Sequence, residues 1–395
     1  MTTARPSRRY LALLAGGPLL ADLMLTLITF SMNLALVRQG LPPRLQSWVL
    51  TIFAIGYTLS ASLTGRIISL RWAGTLLVVF NVLMAVTGSL GVLLQNYALL
   101  LAASGLVGVV SAVYFVAFQV KMGNVQPFPK LAWTVAFYNV SWGVGWSLGP
   151  LIRGLMEQHP ERMVFVLWIP ALIHLLLCYV GLWRNTKLPG LETASRAHDF
   201  ASTPAQRLIG WMGILTGSVL LFGGVLTLWP QLGKLHGLSE WHVGLGVFVT
   251  GVQIPIGAML FAALGRRIYR PYVLAALLVL GGVGYWLLPG CFASSQWAYP
   301  LALACLAACG LAISGGFFHS VLYSNADPVR PGKSVGINES LVGVGNILGP
   351  LIMGNLAWNN ADNPLPYRVG FAITVVVALA ALAIWARRRE ADIRY

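Results

Sequence analysis

Apolar residues run along this chain in twelve long stretches, each closed at both ends by polar, basic or proline-containing segments. A helix that crosses bilayer hydrocarbon needs roughly 20 such residues. The pattern predicts twelve spanning helices, at 10–37, 46–66, 73–94, 97–120, 131–156 and 163–183, then 208–233, 240–264, 271–289, 298–324, 334–358 and 367–387. Arg5, Arg8 and Arg9 before the first run imitate the start of a signal peptide. The run itself is too long for one, so it is read as a helix. The longest polar stretch, 184–207, separates six segments from six. It predicts an N-terminal half (1–183), a linker, and a C-terminal half (208–395).

Polar residues inside the apolar runs are few and fall on helical faces. In segment one, Asp22, Thr26, Thr29 and Asn33 form one stripe. Segment seven carries Thr216, Thr227 and Gln231 at similar spacing, and segment eleven carries Glu339, Gly343 and Asn346 on one face. A stripe of this kind on a spanning helix is expected to face an aqueous cavity or another helix.

The chain also repeats itself. Gly143–Gly154 and Gly343–Gly354 agree at nine of twelve positions, at an offset of 200 residues. Gly65 and Arg66 reappear at the same offset as Gly265 and Arg266. Two copies of one apolar unit are the mark of a secondary transporter. Within the longer repeat, Gly145, Gly149 and Pro150 match Gly345, Gly349 and Pro350. Glycines four apart let a neighbouring backbone approach closely, and the proline bends the helix. These grooves suit either an interface between moving halves or plain tight packing.

Composition and charge sharpen the class. Of 395 residues, 57% are hydrophobic and 9% charged, against roughly 25% charged in a soluble domain. The chain is therefore read as an all-α polytopic membrane protein. The net charge of +15 comes from basic residues scattered singly between apolar runs, so it marks topology rather than nucleic-acid binding. With twelve spans and the N-terminus in the cytoplasm, only Arg38, Arg44, Arg153, Arg162, Lys234 and Arg368 of the 26 basic residues lie outside. That asymmetry places both termini in the cytoplasm. The four cysteines lack metal-ligand spacing and read as small apolar filler.

Twelve spans, two six-helix halves and a central linker resemble the major facilitator superfamily over essentially the whole chain. Gly145 to Pro150 resembles the antiporter signature of that superfamily, with Arg153 where a second glycine is usual. Gly65, Arg66 and Arg71 resemble its basic loop motif, with Ser69 near the place of the usual acid. The stretch 101–108 resembles its arginine-bearing motif, with Ser104 at the arginine's position. The resemblance implies a monomeric transporter of the bacterial inner membrane that works without a cofactor and moves a small molecule by alternating access. The motifs come nearest to its efflux antiporters.

Of eleven acidic residues only Asp22 and Glu339 lie within segments. An ionised group at the bilayer centre costs about 2.5–3.5 kcal/mol on insertion scales. A carboxyl group buried without a cation exchanges protons readily near neutral pH, so both are candidates for proton coupling. The alternative for each is a protonated carboxyl that ties helices together. His319 in segment ten is a third candidate; His174 is assigned to packing. The substrate cavity is expected among Thr26, Thr29, Asn33, Tyr114, Phe118, Asn139, Trp142, Thr227, Gln231, Gln253, Phe318, Tyr323 and Asn346. Its aromatic lining and lack of deep arginines favour an apolar or amphipathic solute over a phosphorylated one. Proton-coupled efflux is the leading expectation, with proton-coupled uptake as the alternative and a non-transporting receptor behind both. No hydrolase or metalloprotease motif appears, so no enzyme is expected.

Overall fold

The computed structural model describes residues 8–68, 70–122, 128, 130–183, 200–293, 297–329 and 331–393. No strand occurs among them. The spanning helices of the first half are α1 (Arg8–Arg38), α2 (Pro43–Ile67), α3 (Leu70–Leu93), α4 (Tyr97–Met122), α5 (Leu131–Leu155) and α6 (Met163–Cys178). Those of the second half are α7 (Pro204–Leu235), α8 (Glu240–Ala263), α9 (Pro271–Leu287), α10 (Ala298–Asn325), α11 (Pro331–Ala357) and α12 (Pro364–Ile393). Eleven are apolar and long enough to cross a membrane. The remaining one, α5, has the length, and its run of Trp, Tyr, Asn, Ser and Gly dilutes its hydropathy. The linker residues 184–199, and Ser69, lie outside the described residues.

Helix boundaries follow local chemistry. Prolines open α2, α7, α9, α11 and α12, where the missing N–H has no helical partner in any case. Thr203 caps α7 in a reciprocal box with Gln206. Gly265, at φ +58°, turns the chain out of α8. Its repeat partner Gly65 stays helical in the last turn of α2, so the shorter repeat is not conformationally equivalent. Near its middle α7 widens into π-helical turns at Leu220–Leu228. There Gly223 abuts the backbone of Gly349 in α11.

The repeat governs packing within each half. A Cβ on Gly145 would fall on the Leu19 backbone of α1, and one on Gly149 would lie 2.9 Å from Leu27 N. In the second half, Gly345 would meet Leu215 O at 2.9 Å and Gly349 would meet Val219 O at 2.7 Å, both in α7. The glycines of the signature therefore seat α5 on α1 and α11 on α7, two equivalent pairs inside the halves. The close packing at Gly145, Gly149, Gly345 and Gly349 is thus within each half. The ends of each repeat cross between halves instead. Gly143 meets Ile254 and Pro255, Gly154 meets Glu240, Gly343 meets Thr58, and Gly354 meets Ser47. The main seams between halves are accordingly α5–α8 and α2–α11.

Candidate functional site

Asp22 sits in α1, 7% exposed, and among the described residues its carboxyl has no ion pair and no hydrogen bond. The polar stripe beside it is mostly turned onto its own helix. Thr26 donates to the Asp22 carbonyl at 2.8 Å, and Thr29 donates to that of Leu25 at 2.9 Å. Asn33, three turns on, reaches across to the Leu226 carbonyl of α7. In the other half, Glu339 of α11 accepts from Asn338 Nδ2 at 3.1 Å. Tyr57 of α2 lies near enough to Glu339, Tyr138 and Asp22 to feel the charge of each. Phe53 and Phe115 lie 6.1 and 6.5 Å from its ring, and Phe222 stacks on Phe53 at 6.3 Å. One carboxyl group from each half thus lies near Tyr57, whose own ring sits among aromatic neighbours.

The other expected site residues divide. Trp142 meets Phe317 across the halves, with ring centroids 5.2 Å apart and the planes tilted by 50°, and donates to Asn139 Oδ1 at 3.2 Å. Gln253, on the adjoining α8, is half-buried and bonds its own helix. Asn346 is buried with its carbonyl oxygen unpartnered. Tyr114 instead bonds His174 and the Gly17 carbonyl inside the first half and stacks on Phe118. Thr227 is fully buried and bonds the Phe222 carbonyl of its own helix. His319 Nδ1 lies 2.7 Å from the Gly315 carbonyl, and its ring is enclosed by Phe261, Phe318 and Tyr323. Gln231 bonds the Leu41 carbonyl at 2.7 Å, far from the carboxyl pair. Gly65 is exposed with no neighbour for a Cβ, and Arg66 is exposed beside it. Gly265 and Arg266 lie in the turn after α8. Pro150 and Pro350 are buried in their helices.

A second cluster closes the face opposite the chain termini. Glu240, the first residue of α8, is held by two arginines of the other half. Arg38 contacts both its oxygens, with Nη2 at 2.8 Å, and Arg153 Nη1 lies 3.0 Å away. Arg153 is only 3% exposed. Arg38 also donates to the Glu157 carbonyl, while the Glu157 carboxylate accepts from Trp241 N at 3.4 Å. Lys234 bonds the Val37 carbonyl, and the Arg44 guanidinium lies 4.4 Å above the Trp358 ring. From sequence, Glu240 counts among the acids outside the segments, and Arg153 as an outside basic residue at the end of segment five. A sequence-level signal did exist: an arginine standing where the signature has glycine. Tyr57 had none, being one of several hydroxyls in its segment beside Thr58, Ser60 and Ser62.

Comparison with known proteins agrees with this architecture. The family model described as Major Facilitator Superfamily matches residues 14–326. The chain is similar to the multidrug resistance protein MdtG of Proteus mirabilis (strain HI4320), 27% identical over 244 residues, 59% of either chain. It is also similar to the MdtG of Enterobacter lignolyticus (strain SCF1), 25% identical over 262 residues, 64% of this chain and 60% of that one. The matched region spans about three fifths of these relatives. Among solved structures, the human organic anion transporter MFSD10 (TETRAN) superposes with a TM-score of 0.63 at 16% identity, over 95% of this chain and 99% of that one. At that identity the likeness is one of fold.

Proposed function

This chain belongs to the major facilitator superfamily, and we propose that it is a proton-coupled efflux transporter of small apolar or amphipathic organic solutes. The observation that carries the reading is the Asp22 carboxyl. It is buried in α1 and, among the described residues, has no cation and no hydrogen-bond donor to hold it ionised. Such a group takes up a proton when its cavity opens to the acidic side and releases it when the cavity opens to the other. Glu339, which accepts from Asn338 and whose charge also reaches Tyr57, is the second proton site of the cycle. Phe53, Tyr57, Phe115, Tyr138 and Phe222 give the solute a largely apolar bed. Efflux rather than uptake is favoured because the similar MdtG proteins are named for multidrug resistance. Both termini lie in the cytoplasm of a bacterial inner-membrane protein, on the strength of the basic-residue asymmetry.

The test is flux in liposomes containing the purified full chain. A panel of amphipathic fluorescent dyes, doxorubicin among them, is offered with and without an imposed pH gradient. Proton-coupled efflux requires dye to accumulate against its own gradient, and accumulation to vanish with a protonophore. Dye movement indifferent to the pH gradient would remove the proton from the mechanism.

A further inference from the structure

The rim of the second half, on the face opposite the chain termini, brings two thiols together. Cys291 lies in the short helical turn Pro289–Ala293 that follows α9, and Cys305 lies two turns into α10. Their sulfurs touch, 3.6 Å apart. A helical side chain leans toward the start of its own helix, so Cys305 points from α10 toward the turn that holds Cys291. The backbones fix both partners. A Cβ on Gly284 of α9 would lie 2.7 Å from the Cys305 carbonyl, so the two helices cross closely there. Cys291 Sγ also lies 3.4 Å from the Leu287 carbonyl, and the residue is nearly buried in a cluster with Trp229, Leu288, Ala302 and Leu306. The other two cysteines are turned elsewhere: Cys309 toward the Gly281 carbonyl at 3.4 Å, and Cys178 toward His174 in the first half.

Two thiols held in contact are the starting geometry for thiol–disulfide exchange. One, deprotonated, attacks a sulfur of an external disulfide and displaces one thiolate, leaving a mixed disulfide. The second, deprotonated in turn, attacks the protein sulfur of that mixed disulfide and displaces the other thiolate. The two protein thiols give up two electrons and two protons, and the external disulfide leaves as two thiols. The proposed orientation puts this face outside the cytoplasm, where thiols are not kept reduced. The turn that carries Cys291 also anchors its surroundings. Phe292 stacks on His236, the residue after α7, with centroids 4.1 Å apart, and His236 lies 2.9 Å from Asp362 in the turn before α12. Fastening this turn to α10 ties the ends of α7, α9 and α10 and the turn before α12 into one rim. Every one of these parts belongs to the second half, so the cross-link leaves rocking between the halves free.

We propose that Cys291 and Cys305 are an oxidation site, joined in the mature protein by a disulfide that staples the rim of the second half. The inference rests on the proposed orientation and is independent of what the protein carries. Cells making the full chain are quenched with N-ethylmaleimide at harvest, and the protein is purified without reductant and digested for mass spectrometry. Peptides holding Cys291 and Cys305 should appear linked, with maleimide on Cys178 and Cys309 alone. Reduction before heating should lower the midpoint of thermal unfolding by several degrees in wild type. It should leave the midpoint unchanged in the double variant Cys291→Ser, Cys305→Ser. Maleimide on all four cysteines, a link to Cys309 instead, or a wild-type midpoint indifferent to reduction would overturn the staple. Where all four carry maleimide, diamide added to purified, unblocked protein separates the causes: a Cys291–Cys305 link then faults the orientation, and its absence faults the contact. Neither readout needs dye, so failure of the transport reading leaves this test intact.

Discussion

Replacing Glu240 by glutamine should release the face opposite the termini. In the wild type one carboxylate satisfies two arginines of the other half, one exposed by 40% and one nearly buried. The exposed Arg38 contact contributes about 0–1 kcal/mol. Arg153 matters more, since a hydrogen bond to a charged partner contributes roughly 1.5–3 kcal/mol and a buried charge left alone costs more still. Glutamine keeps an acceptor oxygen, and Glu157 still attracts Arg153, which limits the loss. A net penalty of about 2 kcal/mol on the closed state is reasonable, equivalent to about a 30-fold shift toward opening. Spin labels at Gln95→Cys and Asn360→Cys, exposed on that face in opposite halves, report the distance between the halves. The long-distance population should grow by about that factor over the short one. Arg153→Met, which installs the residue found at the repeat position 353, should shift it less, because Glu240 keeps Arg38. A ratio unchanged in Glu240→Gln would refute the clasp.

Three further outcomes follow from the packing. Gly145→Leu drives a side chain into the Leu19 backbone within one half. It should therefore lower thermal stability and yield, by about 1–3 kcal/mol or more, rather than selectively impair transport in a well-folded protein. His319→Phe, in a pocket of three aromatic rings, should leave the pH dependence of transport as in wild type, and a displaced profile would return His319 to the proton path. Tyr57→Phe keeps the ring and removes the hydroxyl that both carboxyl groups influence. Transport should slow at unchanged expression, measured as initial dye flux per mole of protein.

How much was legible beforehand depended on whether the signal was local. Apolar runs and the 200-residue repeat announce spanning helices and two halves, because each is written in consecutive residues. Asp22 stood out for the same reason: an acid in an apolar run is conspicuous. The partners of the repeated glycines were not legible, because Leu19 and Val219 carry no mark of their role and offer only backbone. Nor was the Arg153–Glu240 pair, whose members lie 87 residues apart at the ends of two different segments. Thr26, Thr29 and Thr227 kept the expected spacing, yet their hydroxyls bond their own helices. A polar stripe in a sequence cannot distinguish a wet face from a hydroxyl satisfied one turn back.

Proton coupling through Asp22 is tested most directly by Asp22→Asn in liposomes, with wild type and Glu339→Gln in parallel. Asparagine preserves size and hydrogen bonding and fixes the group neutral. The variant should bind dye and exchange it for dye across the membrane, a process that needs no net proton movement. It should fail to accumulate dye when only a pH gradient is supplied. Wild-type accumulation by Asp22→Asn, with the loss appearing in Glu339→Gln instead, would move the coupling to α11. Wild-type accumulation by both would contradict carboxyl-mediated coupling altogether.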